Sequence, residues 1–502
     1  MNKIRRAGFT AGILIFAGIL LFGDFQPGKP EVTQMAGIAA LMAVWWMTEA
    51  IPLAATSLIP LVLFPLLGLL GGSDTAAAYI NSVIFLFLGG FLIAIAMERW
   101  ELHRRIALKI ITLFGGSPNS IITGFMTATA FLSMWISNTA TAVMMLPIAL
   151  AIIRKLEDEF GTDRIKNFSK TLMLAIAYSC SLGGIATLIG TPPNLAFVRI
   201  FSILFPEAPA ISFGSWMLLA LPISILMLVV TLVILLKVFF KFDKQINLHK
   251  DYIKDEYRKL GPVSKAEKYV AAVFSSTALL WIFRADLNLE FIFIPGWQNL
   301  LSIPEFVDDG TVAISMALLL FFIPVKASED RKTTLLSAEA FQKVPWGIIL
   351  LFGGGFALAQ GFTISGLSHY IGSQLHSLSD ISPVIILITT ALMINFLTEL
   401  TSNTATAQMI LPIIASISVA LGLNPLLLMI TATLSSSMAF MLPVATPPNT
   451  IVFASERLRI TDMVKAGFAL NISGVLLVSV IVYFLGTSLF DLNILPAWAF
   501  PE

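Results

Sequence analysis

The chain has 502 residues; 57% are apolar, only 12% are charged, and the net charge is +1. Cys180 is the single cysteine and the four His are scattered, so neither an internal disulfide framework nor a clustered His metal site is available. Residues 110–153, 171–198 and 400–455 contain no Asp, Glu, Lys, Arg or His, while a spanning helix needs only about 20 apolar residues. The pattern predicts an all-α polytopic membrane protein. A membrane β-barrel would show short alternating segments, and these runs are continuous.

In chain order, the apolar runs fall at 8–23, 36–51, 54–71, 81–98, 118–153, 171–204, 213–236, 269–284, 309–325, 346–362, 383–420, 424–455 and 467–487. The first lacks a clear small-residue cleavage site, and Asp24 to Glu31 reads as a loop, so 8–22 is read as a membrane helix and not as a signal peptide. Lys and Arg crowd Lys3–Arg6, Arg99–Lys109, Arg154–Lys170, Lys237–Lys268 and Lys326–Lys343. They avoid 72–80, 205–212, 285–308 and 363–382. The positive-inside rule makes the first set cytoplasmic. Residues 110–153 must then enter and return on one side, as two passes or as a deep re-entrant hairpin with Ser137-Asn138 near the turn, and the hairpin is the reading counted here. Residues 383–420 form a second hairpin from the outside. About 11 transmembrane helices remain, with the N-terminus cytoplasmic and the C-terminus outside.

The two hairpins carry the same phrase. Ser137-Asn138-Thr139-Ala140-Thr141 recurs as Ser402-Asn403-Thr404-Ala405-Thr406, each followed by Leu-Pro at the same distance. Gly89-Gly90-Phe91 recurs as Gly354-Gly355-Phe356 at the same offset, and Ser133 corresponds to Thr398. Thr191-Pro192-Pro193-Asn194 recurs as Thr446-Pro447-Pro448-Asn449. Because one hairpin opens from each side, the repeats are inverted, and inverted repeats place a binding site at the midplane.

The chemistry of these phrases is neutral and oxygen-rich. Pro-Pro at depth removes two amide donors and breaks a helix, exposing carbonyls on one side of the gap and N–H groups on the other. Carbonyls with Ser, Thr and Asn oxygens suit Na⁺; helix N-termini, amides and hydroxyls suit a carboxylate. No Lys, Arg or His lies in the four motifs, so bound cations must balance an anionic substrate. Single hydroxyls such as Thr127, Thr129, Ser179, Ser181 and Ser435–Ser437 are read as helix-packing contacts. Glu49 is read as an interfacial or structural carboxylate ahead of a site residue, and Glu399 as a structural one hydrogen-bonding the second hairpin tip ahead of a proton-coupling one. An ion channel, a metal-type carrier of related architecture and a membrane-embedded enzyme are the rival classes; for the last, no catalytic cluster is apparent.

These features resemble the divalent-anion/sodium symporter family, the INDY-type di- and tricarboxylate transporters, over nearly the whole chain from the Trp46 stretch to the last span. The resemblance implies a homodimer, while the compact loops and absent organellar signal point to a bacterial inner membrane. It also implies an elevator mechanism and no enzymatic activity. It implies a scaffold at 1–109 and 269–380, a transport domain at 110–240 and 381–502, and a cytoplasmic loop at 241–268. One Na⁺ site would use Ser133, Ser137, Asn138 and Gly190; the other Thr398, Ser402, Asn403 and Ala445. Substrate would meet Ser137, Asn138, Thr139, Thr191, Pro192, Ser402, Asn403, Thr404, Thr446 and Pro447. The implied activity is uptake of a C4-dicarboxylate with two or more Na⁺. A sodium-independent exchanger, or a carrier of citrate or sulfate, stays open.

Overall fold

The computed structural model describes residues 3–241, 250–289, 292–328, 331–374 and 381–500. Helices α1 (Lys3–Phe22) and α2 (Pro30–Thr48) pack as a pair, with Pro30 starting α2, where a missing N–H costs nothing. Short helices α3 (Leu53–Thr56), α4 (Ile59–Leu67) and α5 (Gly72–Ala77) lead to α6 (Ser82–Arg99). Asn81 caps α6 by accepting from the N–H groups of Val83 and Ile84. The amphipathic α7 (Leu102–Thr112) follows.

The first predicted hairpin is α8 (Pro118–Ser133) and α9 (Asn138–Phe160), with Ser137 in the turn. It is shorter at its start than the uncharged stretch, because α7 runs on to Thr112 and Ser117-Pro118 begins a new helix. Next come α10 (Thr162–Gly184), the first break, α11 (Pro192–Leu204) and α12 (Phe213–Val233). Helices α13 (Lys250–Lys259) and α14 (Lys265–Ile282) precede a small hairpin of β1 (Leu287–Leu289) and β2 (Ile292–Ile294). After α15 (Asp309–Phe322) a second hairpin pairs β3 (Pro324–Ser328) with β4 (Arg331–Thr334). The all-α expectation did not include these two short hairpins.

The second copy runs α16 (Trp346–Ile364), α17 (Leu367–Gln374), the hairpin α18 (Pro383–Thr398) and α19 (Asn403–Ala420), then α20 (Pro425–Ser436), the second break, α21 (Pro447–Phe453) and α22 (Ile460–Ile481). A last turn, α23 (Thr487–Phe490), follows. Helices α12 and α22 both end in π turns, at Ile234–Phe239 and Val482–Gly486, so the duplication extends to their final residues.

Among the described residues, seven helices are long and apolar enough to cross a membrane, and five further apolar helices have 10–17 residues. The shorter ones include α11, α18 and α20, which flank the breaks and the second hairpin tip, where Pro and Gly stop the helix. Residues 242–249 of the expected loop 241–268, residues 375–380 at the expected boundary near 380, and residues 501–502 lie outside the described residues.

The two copies interlock. Helix α11 packs against α19 of the second hairpin, and α21 packs against α9 of the first. Two ion pairs tie the same halves together: Lys170 Nζ to Asp462 at 2.8 Å, and Arg457 to Glu157. Elsewhere α6 packs along α15, and the buried pair Arg284–Asp309 fixes α14 against α15 while Asp309 also accepts from the Phe213 N–H at the start of α12. Arg105 of α7 pairs with Glu267 of α14 at 2.6 Å and donates to the Leu260 and Gly261 carbonyls. Glu49 pairs with Arg5 at 2.6 Å, both about half exposed.

Candidate functional site: two hairpin tips and two broken helices

All four polar motifs begin helices. Ser137, Thr191, Ser402 and Thr446 are the N-cap residues of α9, α11, α19 and α21. Their unpaired first-turn N–H groups and dipole ends give each motif a partial positive charge without a cationic side chain. The helices before them, α8, α10, α18 and α20, end in carbonyls. Sequence order therefore makes an N-terminus and a C-terminus meet at each tip and each break.

At the first tip, Ser133 Oγ donates to the Cys180 carbonyl of α10 at 2.7 Å. The Asn138 carboxamide lies against Ser133 Oγ, Cys180 O and Gly190 O. With its nitrogen inward it donates to all three, at 2.7, 3.1 and 3.2 Å. With its oxygen inward it accepts from Ser133 at 2.7 Å, and four oxygens cluster in the manner a hard cation can bridge. The second tip repeats the geometry. Thr398 Oγ1 lies 2.7 Å from Asn403 Oδ1 and 2.8 Å from the Ser436 carbonyl of α20, its single proton shared between the two acceptors.

The caps differ in detail. Ser137 accepts from the Ala140 N–H at 3.3 Å, whereas Ser402 makes no side-chain cap bond. Thr446 caps Asn449 N–H at 3.3 Å, and Thr191 is buried without a cap bond. Thr139 and Pro447 are exposed; Ser137, Asn138, Pro192, Ser402 and Asn403 are half-buried; Thr404, Gly190 and Ala445 are buried. The structure thus brings Ser133, Asn138 and Gly190 together, and Thr398 with Asn403. Ala445 sits in the turn before Thr446, its N–H on the Leu442 carbonyl at 3.2 Å.

Several participants were not among the sequence candidates. Asn194 Nδ2 donates to the carbonyls of Gly184, Ile185 and Thr187, closing the first break. Asn449 does the same in the second, to Ala439 and Leu442. Both lie in the duplicated Thr-Pro-Pro-Asn phrase, so the repeat itself held the signal. The Cys180 and Ser436 carbonyls had none, since any residue supplies a carbonyl.

The latch between tip and break is not symmetric. In the first copy Thr187 donates to the Met134 carbonyl and accepts from Gly190 N–H at 3.1 Å. Position 399 is the repeat partner of 134, and Glu399 fills it. Its carboxylate accepts from the N–H groups of Phe440, Met441 and Leu442 at 2.6, 2.9 and 3.1 Å, and from Asn471 Nδ2 at 2.8 Å. Among the described residues its hydrogen-bond partners are all donors. Gly184 matters for space: a Cβ there would lie 2.5 Å from Asn138 Oδ1.

Two hairpins and two broken helices, interlocked around neutral oxygen-rich tips, define a polytopic membrane transporter. The chain belongs to the family described as the sodium:sulfate symporter transmembrane region, which matches residues 5–492. Members of this family are transporters, and the chain is not an enzyme. It is 44% identical over 482 residues to a protein of Staphylococcus aureus strain bovine RF122 / ET3-1 named sodium-dependent dicarboxylate transporter SdcS, covering 95% of this chain and 90% of that one. It is 43% identical, with the same coverage, to the SdcS of strain MRSA252. Its fold is similar to the YdaH transporter of Alcanivorax borkumensis, with a TM-score of 0.56 at 12% identity, covering 90% of this chain and 99% of that one. The MtrF structure of Neisseria gonorrhoeae gives 0.56 at 13% identity, covering 94% and 98%.

Proposed function

We propose that the protein takes up C4-dicarboxylates such as succinate, malate or fumarate, coupled to Na⁺. The observation that carries this is the matched pair of tips. A hydroxyl and an Asn carboxamide lie 2.7 Å apart at both tips, Ser133 with Asn138 and Thr398 with Asn403, each beside carbonyls of a broken helix and each at the start of a helix. The names of the S. aureus relatives support the same ion and substrate class.

One Na⁺ is held by Ser133, Ser137, Asn138 and the Gly190 carbonyl, with Cys180 O added to the set. The second is held by Thr398, Ser402, Asn403 and the Ala445 region, with Ser436 O added. The substrate carboxylates meet Ser137, Asn138 and Thr139 at one tip, and Ser402, Asn403 and Thr404 at the other. Thr191, Pro192, Thr446 and Pro447 close the site. Na⁺ binds first and turns the Asn138 oxygen inward, which leaves the amide N–H₂ and the helix start free for the anion. The unaccompanied anion does not cross, because a buried unpaired carboxylate costs several kcal/mol.

In this reading 110–240 and 381–502 form a transport domain. It moves as an elevator against a scaffold of 1–109 and 269–380, in a homodimer in the plasma membrane. The N-terminus is cytoplasmic and the C-terminus outside. The test is uptake of labelled succinate into proteoliposomes under an inward Na⁺ gradient, then with K⁺ replacing Na⁺. Uptake only with Na⁺ is expected. Uptake without Na⁺ but dependent on internal dicarboxylate would make it an exchanger. Absence of succinate uptake, with uptake of citrate or sulfate, would reassign the substrate.

A further inference from the structure

Helices α7, α9 and α13 leave two adjoining cavities between them. One, of about 380 Å³, is walled mainly by Leu108 of α7, by Met144, Pro147, Ile148 and Ala151 of α9, and by Ile253 of α13, and is largely apolar. The other, of about 400 Å³, is charged and lies where α6 passes into α7, beside the end of α13 and the start of α14. Arg104 and Glu256 line both, so the two spaces share one wall. Neither contains a residue of the four motifs.

The charged cavity has cations to spare. Arg105 closes on Glu267 and Lys259 on Glu256, so these four groups cancel in pairs. Glu101 stands 3.7 Å from Arg104, and both side chains are well exposed, at 62% and 42%. Such a contact contributes little, and another anion can replace it. Arg99 is exposed, and among the described residues its partners are neutral: the Ser337 hydroxyl at 3.3 Å and the Trp100 ring. Two accessible guanidinium groups therefore stand beside an apolar groove. The depth of the groove is also informative. On α9, its last apolar residue, Ile152, is followed by exposed Arg154 and Lys155, which mark the headgroup level at that end of the span. Pro147 and Ala151 are exposed, so the groove opens along α9.

We propose that the two cavities together bind one anionic phospholipid, of which phosphatidylglycerol is a simple example. Its phosphate sits at Arg99 and Arg104. One acyl chain runs along Met144, Ile148 and Ala151 and fills the gap between α9 and α13. Guanidinium forks suit a phosphate, and the chain removes the apolar wall from water. A soluble phosphate shares the headgroup chemistry but leaves the apolar cavity unfilled. In the proposed orientation this face is cytoplasmic, where basic pockets beside membrane helices meet anionic lipid. That placement rests on the proposed function; binding itself does not.

The test is native mass spectrometry of the full-length protein in detergent micelles. It is titrated with dioleoyl phosphatidylglycerol, with dioleoyl phosphatidylcholine, and with glycerol 3-phosphate as a headgroup without chains. The wild type is expected to bind one phosphatidylglycerol at least fivefold more tightly than phosphatidylcholine. Arg104→Gln and Ala151→Trp, both at accessible positions, are each expected to weaken that binding at least fivefold. Arg99→Gln and Ala151→Leu stand in for them if either fails to fold, with a loss in the same direction. Equal affinity in the wild type and the variants would mean unspecific lipid around the spans and would overturn the proposal. Phosphatidylcholine bound as tightly would overturn the anionic site. Loss in Arg104→Gln but not in Ala151→Trp would overturn the chain groove. Displacement of the lipid by an equal concentration of glycerol 3-phosphate would make this a site for a soluble anion and would likewise overturn it.

Discussion

Asn471 donates to the Glu399 carboxylate at 2.8 Å, joining α22 to the second hairpin tip. The same carboxylate gathers three consecutive N–H groups from the unwound residues 440–442. One side chain therefore holds tip, break and final helix in a single arrangement. Replacing Glu399 with Leu leaves four buried donors without an acceptor, each worth about 1–3 kcal/mol. The expected result is a loss of about 3 kcal/mol or more, read as a lower Tm of the purified protein in detergent. Glu399→Gln keeps one acceptor and should fall between. An unchanged Tm for Glu399→Leu would show that the break is held by other contacts.

Asn138→Ala and Asn403→Ala should each abolish Na⁺-dependent uptake while the protein stays folded. Each substitution removes between one and three hydrogen bonds of a half-buried amide, each worth about 1 kcal/mol, which a folded chain tolerates. Each also removes an oxygen from a small set around the proposed ion. Uptake into proteoliposomes, beside a monodispersity check in detergent, decides it. Wild-type uptake from either variant would remove that tip from the site.

The sequence made the tips legible for a physical reason. Uncharged polar residues are costly in hydrocarbon, so a phrase of them repeated at a fixed offset marks a site. Ser133 and Thr398 were found because one helical turn separates them from the tip, and the structure hydrogen-bonds each to its Asn. The breaks at Thr191 and Thr446 were legible because Pro-Pro cannot continue a helix. The Cys180 and Ser436 carbonyls were not, because a backbone oxygen leaves no trace in residue type. The donors around Glu399 and the groove between α7, α9 and α13 were equally hidden, since both depend on which helices come to lie side by side. The β1–β2 hairpin was missed because its strands are only three residues each, too short for an alternating pattern to register.

Gly184→Ala should impair transport more than stability. The added Cβ would lie 2.5 Å from Asn138 Oδ1, so the carboxamide must move away from Ser133 and Cys180. Overpacking of this kind costs about 1–3 kcal/mol. The expected outcome is a modest fall in Tm with a rise of at least tenfold in the Na⁺ concentration needed for half-maximal uptake. An unchanged Na⁺ dependence would separate Asn138 from the ion.

The Arg284–Asp309 pair tests the packing of α12, α14 and α15 independently of the site. Both side chains are nearly inaccessible, at 11% and 8%, and Asp309 also accepts from Phe213 N–H at 3.1 Å. Arg284 further donates to Gln298 Oε1 at 2.6 Å and to the Val307 carbonyl at 3.2 Å. Removing one partner strands the other charge in a poorly solvated place, which costs about 3–5 kcal/mol. Asp309→Ala and Arg284→Ala are each expected to lower the Tm strongly. The double variant should be less destabilised than the sum of the two, because it leaves no lone charge behind. A double-variant loss equal to the sum would mean that the two side chains act separately, through Phe213 on one side and Gln298 on the other.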